Sequence, residues 1–171
     1  MTATLEAQTT LERPLGTVEE AMTRQVVLLA ADMPAELALR RLDRMAVSGT
    51  PVVDHGRVVG VVTRRDLLVP TLVNDPADLS DAHSGRLAGL RVRDLMSDEP
   101  VAAKPGWELV RAVRAMLDHG VNRLPVVDDA GRPLGVLSVK RIVHYLVEHY
   151  SPTVYNQPPD PAVVPTAPEG A

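Results

Sequence analysis

Two short strings carry the side chains best suited to holding a polar ligand. In Gly60-Val61-Val62-Thr63-Arg64-Arg65-Asp66 a hydroxyl and a carboxylate stand three residues apart behind an apolar run, and in Gly135-Val136-Leu137-Ser138-Val139-Lys140-Arg141 a hydroxyl is followed by two cations. The first spacing also has a local use. Thr63 at a helix start accepts from the backbone N–H three residues on, and Asp66 accepts in return, which is a capping box. The motifs that turn binding into catalysis are not found. The chain has no Cys, which removes thiolate nucleophiles, thiolate-bound zinc, iron–sulfur clusters and disulfides. No Ser/His/Asp ordering, His-Glu-x-x-His string or phosphate loop occurs. His55, His83, His119, His144 and His149 lack ligand spacing, so they read as structural or surface residues rather than a metal site. Trp107 reads as a packing residue at a helix start, and Arg123 taken alone as a solvated cation. No catalytic residue, catalytic cofactor or enzymatic activity is expected.

Composition narrows the partners. The 171 residues, 45% hydrophobic and 23% charged, suit one compact region of about 130–150 residues with loose ends. A net charge of -4, with only Trp107, Tyr145, Tyr150 and Tyr155 as aromatics, does not make a base-stacking nucleic-acid surface. The N-terminus has no basic cluster ahead of an apolar stretch, and the longest apolar run, residues 26–31, falls far short of the ~20 residues that span a bilayer. A cytoplasmic protein with no membrane segment is expected.

The elements that position these strings come from an internal repeat. A shift of 74 positions lays Met22 on Met96, Val27 on Val101, Val47 on Val121 and Pro51-Val52-Val53-Asp54 on Pro125-Val126-Val127-Asp128. One extra residue in the second turn then brings Gly60-Val61 onto Gly135-Val136. Each copy reads as an apolar stretch (26–30, 101–103), a helix, a hairpin and a second helix. The first helix carries the stripe Ala35, Ala38, Leu39, Leu42, Ala46, repeated as Leu109, Ala112, Val113, Met116. Pro34 and Pro105 mark helix starts. His55-Gly56-Arg57 and Asp129-Ala130-Gly131 supply hairpin turns. The order β-α-β-β-α therefore occurs twice, an α/β (α+β) fold. The expected divisions are an N-terminal arm (1–15), a first unit (16–69), a polar linker (70–90), a second unit (91–150) and a Pro-rich tail (151–171).

Both copies carry Pro-Val-Val-Asp in register, preceded by Val18-Glu19-Glu20-Ala21-Met22-Thr23 and Val92-Arg93-Asp94-Leu95-Met96-Ser97, and the first ends in Gly-apolar-apolar-Thr-x-x-Asp. Over roughly residues 16–149 the chain resembles a tandem pair of cystathionine-β-synthase (CBS) domains. That resemblance implies two units about a pseudo-twofold axis, a disc-shaped homodimer, and clefts for AMP, ADP or ATP, with NAD or S-adenosylmethionine as alternative ligands. It implies Asp66 as the ribose carboxylate, since one carboxylate accepts from both vicinal hydroxyls, and Thr63 beside it. Adenine is expected near Gln25, Val26 and Val27, between Val47 and Pro51, with phosphates at Arg123. The second copy places Arg141 where the ribose carboxylate belongs, and a guanidinium only donates. Its ending resembles that of an empty cleft in the regulatory subunit of AMP-activated kinase, which implies Lys140 as a phosphate contact to the neighbouring site. One nucleotide per chain is expected, in a non-enzymatic sensor that passes occupancy to a separate effector protein. An interaction scaffold with vestigial clefts is the alternative.

Overall fold

Alternating and helical stretches fold as their patterns predict. The computed structural model describes residues 15–69 and 87–150, so His83, most of the linker and the Pro-rich tail lie outside the described residues. After a lead helix α1 (Val18–Ala21), the first copy forms β1 (Leu29–Ala30), α2 (Ala35–Arg44), β2 (Gly49–Asp54), β3 (Arg57–Thr63) and α3 (Arg64–Leu68). The second begins with a 3-10 turn (Val92–Asp94) and continues with β4 (Ser97–Asp98), α4 (Leu109–Asp118), β5 (Arg123–Val127), β6 (Pro133–Ser138) and α5 (Val139–Tyr150). Its apolar stretch at 101–103 reduces to a single parallel bridge, Ala103 to Val126. Pro105, which has no N–H to continue a ladder, follows at once.

The first turn is a two-residue hairpin with His55 at φ 47° and Gly56 at φ 77°, the left-handed pair that matches the twist of the flanking strands. The longer second turn is organised by Asp128, whose carboxylate accepts from the N–H groups of Ala130 (2.9 Å) and Arg132 (2.8 Å) and from Arg132 Nε (2.7 Å). These bonds, the Arg132 backbone first, hold the Asp128 pKa below its ordinary value.

The end of α2 differs from the expected stripe. Ala46 does not continue the α2 stripe: the helix stops at Arg44, and Ala46 sits exposed at φ 52°. Its N–H donates to Asp43 O over 3.0 Å and that of Val47 to Leu42 O over 3.0 Å, a left-handed helix ending. Its repeat mate Gly120, at φ 64°, ends α4 in the same way without a Cβ to crowd.

What joins the copies is an exchange of their leading segments. Val18, Ala21 and Met22 are buried in the second copy's core with Leu109, Met116, Leu137 and Ile142, while Leu87 and Val92 enter the first copy's core with Leu29, Leu42, Val62 and Leu67. Matching backbone bonds fix both docks. Val18 N–H donates to Trp107 O (2.8 Å) and Val92 N–H to Met33 O (2.9 Å); Leu109 N–H donates to Gly16 O (3.0 Å) and Ala35 N–H to Leu90 O (2.9 Å). β4, which leads the second copy, completes the first copy's sheet in the order β1-β2-β3-β4, and Thr23 bridges Val136 in the mirrored position. The glycines beneath explain themselves. A Cβ on Gly60 would stand 2.5 Å from Met96 Sδ, and one on Gly135 2.6 Å from Thr23 O and 3.0 Å from Met22 Sδ. Neither core is complete without the other copy's leader, and each buried Val, Leu or Met contributes roughly 1.5–3 kcal/mol. The two β-α-β-β-α units thus interlock about a pseudo-twofold axis. Among the described residues no helix is long and apolar enough to cross a membrane.

Candidate ligand-binding clefts

The Thr63–Asp66 pair sits where β3 hands over to α3. Thr63 N–H and Oγ1–H donate to Asp66 Oδ2 over 2.8 and 2.7 Å, and Asp66 N–H donates back to Thr63 Oγ1 over 3.3 Å. The capping box is therefore formed, and it uses one carboxylate oxygen. Oδ1 has no protein partner among the described residues, and the half-buried side chain lines a cleft of about 310 Å³. Capping and ligand holding are compatible uses of one carboxylate, because the cap occupies one oxygen and leaves the other.

Across that cleft lie Pro100, Val101, Val121 and Pro125, with Arg123. The apolar residues are the repeat mates of Val26, Val27, Val47 and Pro51. The single pocket expected from the sequence is thus divided in two. Thr63, Asp66 and Arg123 share one cleft. Gln25, Val26, Val27, Val47 and Lys140, again with Arg123, line a second cleft of about 570 Å³. Pro51 is buried in β2 opposite Val61 and is among the described lining of neither. The cause is the exchange of leaders: it turns the opening stretch of each copy toward the closing strand and helix of the other. Pro100, Val101, Val121 and Pro125 were missed by the sequence reading, and the repeat shift is the signal that finds them.

The second cleft differs in chemistry. Ser138 Oγ accepts from Arg141 N–H over 3.2 Å, an equivalent cap without a carboxylate. Arg141 is not among the described lining of this cleft: its Nε donates to Ala21 O over 3.0 Å, and Nη1 lies 3.8 Å from Glu148. The charged residues lining this cleft are Lys140 and Arg123. Its floor is held by Thr50, a buried hydroxyl that donates to Val27 O; the mate of Thr50 is Leu124, so the Asp66 cleft has no such tie.

Arg123 is half-buried at the start of β5 and reaches across to the first copy, donating from Nη1 to Gly49 O and from Nη2 to Ser48 Oγ, each over 2.6 Å. Desolvation lowers its pKa from the ordinary arginine value, a shift that leaves a guanidinium charged at neutral pH. Trp107 is partly buried against the second core, with Arg111 stacked 4.0 Å over its ring. Among the described residues no group of three or more His, Asp or Glu side chains is placed to hold a metal.

Comparison with known proteins agrees with this architecture. The CBS domain family matches residues 18–69 and 92–148. CBSX2, a CBS-pair protein of Arabidopsis thaliana, is 30% identical with a TM-score of 0.69, over 77% of this chain and 94% of that one. A second structure of CBSX2, in complex with AMP, aligns at 30% identity and a TM-score of 0.65, over 77% of this chain and 96% of that one. An inosine-5'-monophosphate dehydrogenase of Korarchaeum cryptofilum is 26% identical over 140 residues, which are 82% of this chain and 26% of that enzyme. This chain thus spans about a quarter of the length of that curated relative. Interlocked β-α-β-β-α copies, glycines under the exchanged methionines and the match of both halves to one family together establish that the chain belongs to the CBS domain family, as a tandem pair.

Proposed function

We propose that the pair is a regulatory module that binds an adenosine nucleotide, AMP, ADP or ATP, in the Asp66 cleft and passes its occupancy to an effector protein. The observation that carries this reading is the half-buried Asp66 carboxylate, held through one oxygen by its cap, in a cleft that Arg123 also lines. A ribose diol donates to such a carboxylate, the apolar wall of Val101, Val121 and Pro125 suits a purine face, and Arg123 suits a phosphate. That CBSX2 has been solved with AMP supports the choice of ligand class. NAD and S-adenosylmethionine carry the same adenosine and remain competing ligands of this cleft. The domain division at 16–69 and 91–150, a cytoplasmic location and a role in energy sensing belong to the same reading.

The test is thermal unfolding with each of the five ligands. A ligand at 100 times its dissociation constant stabilises by about 2.7 kcal/mol, so the transition temperature rises for at least one of them in the native chain and not in Asp66→Ala. No rise with any adenosine ligand, or the same rise in the variant, removes the proposal and leaves the scaffold reading.

Pairing of two chains is part of the proposal. α4 and α5 expose Val110, Val113, Leu117, Val139 and Val143, with Leu117 75% exposed. In α2 the mates of Val110 and Leu117 are Glu36 and Asp43. The first copy also exposes Leu37, Met45, Leu68 and Val69, but the apolar helical face of the second copy is the one that fits the same face of a second chain by a twofold contact. Sedimentation at micromolar concentration shows a dimer if this holds and a monomer if it does not.

A further inference from the structure

Arg123 has an unusual neighbour: its own repeat mate, Gly49. A side chain that bonds the backbone of its mate lies on the pseudo-twofold axis, where the two clefts meet. Arg123 accordingly lines both of them. The first copy places no cation there: the mate is Gly49, where even a Cβ would lie in tight contact, 3.0 Å from both Thr63 Cγ2 and Val62 O. Two of the five guanidinium N–H donors are used by Gly49 and Ser48, which leaves three to turn toward an occupant. The second cleft is lined by Lys140 and Arg123 with no carboxylate among its described lining, so its complement is an anion.

Resting on the proposed nucleotide site, we infer that Arg123 is one cation shared by two clefts, so that an anion in the second cleft and a phosphate in the Asp66 cleft antagonise each other. Each anion is attracted to the same guanidinium and repelled by the other across it, so the coupling is negative. It is also reciprocal, as any linkage between two binding equilibria must be. A neutral nucleoside in the Asp66 cleft has no phosphate to place there and escapes the coupling.

The experiment is calorimetric titration of the full chain with AMP, with adenosine and with inorganic pyrophosphate, alone and in pairs. Pyrophosphate is expected to weaken AMP about fivefold or more, the lower end of ordinary allosteric coupling, and to leave adenosine unchanged. Arg123→Met weakens both AMP and pyrophosphate, whereas Lys140→Gln weakens pyrophosphate and removes its effect on AMP. Arg123→Lys, which keeps the charge and guards against a folding defect in the Met variant, restores part of both affinities. Independent binding of AMP and pyrophosphate overturns the inference while leaving the nucleotide site standing. So does antagonism that survives in Lys140→Gln, which would mean competition inside one cleft, or an Arg123→Met effect on only one ligand. Failure of both adenosine and AMP to bind the native chain removes the nucleotide site itself and the inference with it.

Discussion

The two clefts are built from equivalent segments and differ chiefly in where charge stands. Around Asp66, a capped carboxylate and one cation, Arg123, line a largely apolar cleft. In the other cleft the equivalent position is Arg141, which holds Ala21 O at the end of α1, and the charge that lines the cleft is positive. The same frame thus occurs twice, with a carboxylate at one equivalent position and, at the other, a guanidinium that bonds the exchanged leader. An interlocked pair can specialise one cleft while the other serves stability, because the backbone frame depends on the leaders, glycines and hairpins that both copies keep.

The largest expected effect tests the frame. Met22 is 6% exposed in the second core, whereas its mate Met96 is only partly buried. Met22→Ala should therefore lower unfolding free energy by about 2–5 kcal/mol, and Met96→Ala by clearly less, as read from urea midpoints; equal losses would show that the two docks carry the same load. Next in size is the charge itself. Asp66→Asn should weaken AMP by about 1.5–3 kcal/mol, tenfold or more, the worth of a hydrogen bond to a charged group. The reverse change, Arg141→Asp, should add a second, weaker AMP site detectable as a higher stoichiometry in calorimetry. An unchanged stoichiometry would mean that the clefts differ in more than this residue.

A smaller effect concerns the helix endings. Ala46 adopts the left-handed conformation that Gly120 adopts in the second copy, so Ala46→Gly should gain up to about 1 kcal/mol by relieving the Cβ, whereas Gly120→Ala should lose stability; thermal melts of both variants decide it. The smallest is a pH effect in the longer turn. The Asp128 pKa is lowered in the folded chain by the Arg132 backbone and side chain. Its ionised form therefore stabilises the fold above the unfolded value of about 3.9, and that contribution is lost as pH falls through the lower folded value. Asp128→Asn should flatten this acid-side fall in urea midpoints, without changing the rest of the profile.

Much of this was legible in the residues because the relevant physics is local. The Thr63–Asp66 cap, the His55-Gly56 turn and the helix starts behind Pro34 and Pro105 follow from spacings of a few residues. The Gly60 and Gly135 positions follow from the repeat, although their reason, a methionine passing overhead, does not. Ala46 was misread because the helical stripe continues through it, and only the Asp43 and Leu42 carbonyls that it and Val47 reach show that the helix has already ended. The walls that the resemblance implies for the Asp66 cleft line the second cleft instead, Pro51 excepted, because the exchanged leaders bring the opening stretch of one copy against the closing strand of the other.

By itself the sequence determined that the chain is a duplicated β-α-β-β-α protein, without cysteine, with one capped carboxylate where its repeat has an arginine. Periodicity, capping and turn chemistry act within a few residues, so they can be read along the chain. Tertiary structure alone decided that the leaders cross over, that Pro100, Val101 and Val121 rather than their mates face Asp66, and that a single guanidinium stands between two clefts. Those outcomes depend on burying each leader's apolar side chains in the core of the other copy, a long-range packing choice that nothing in the local pattern encodes.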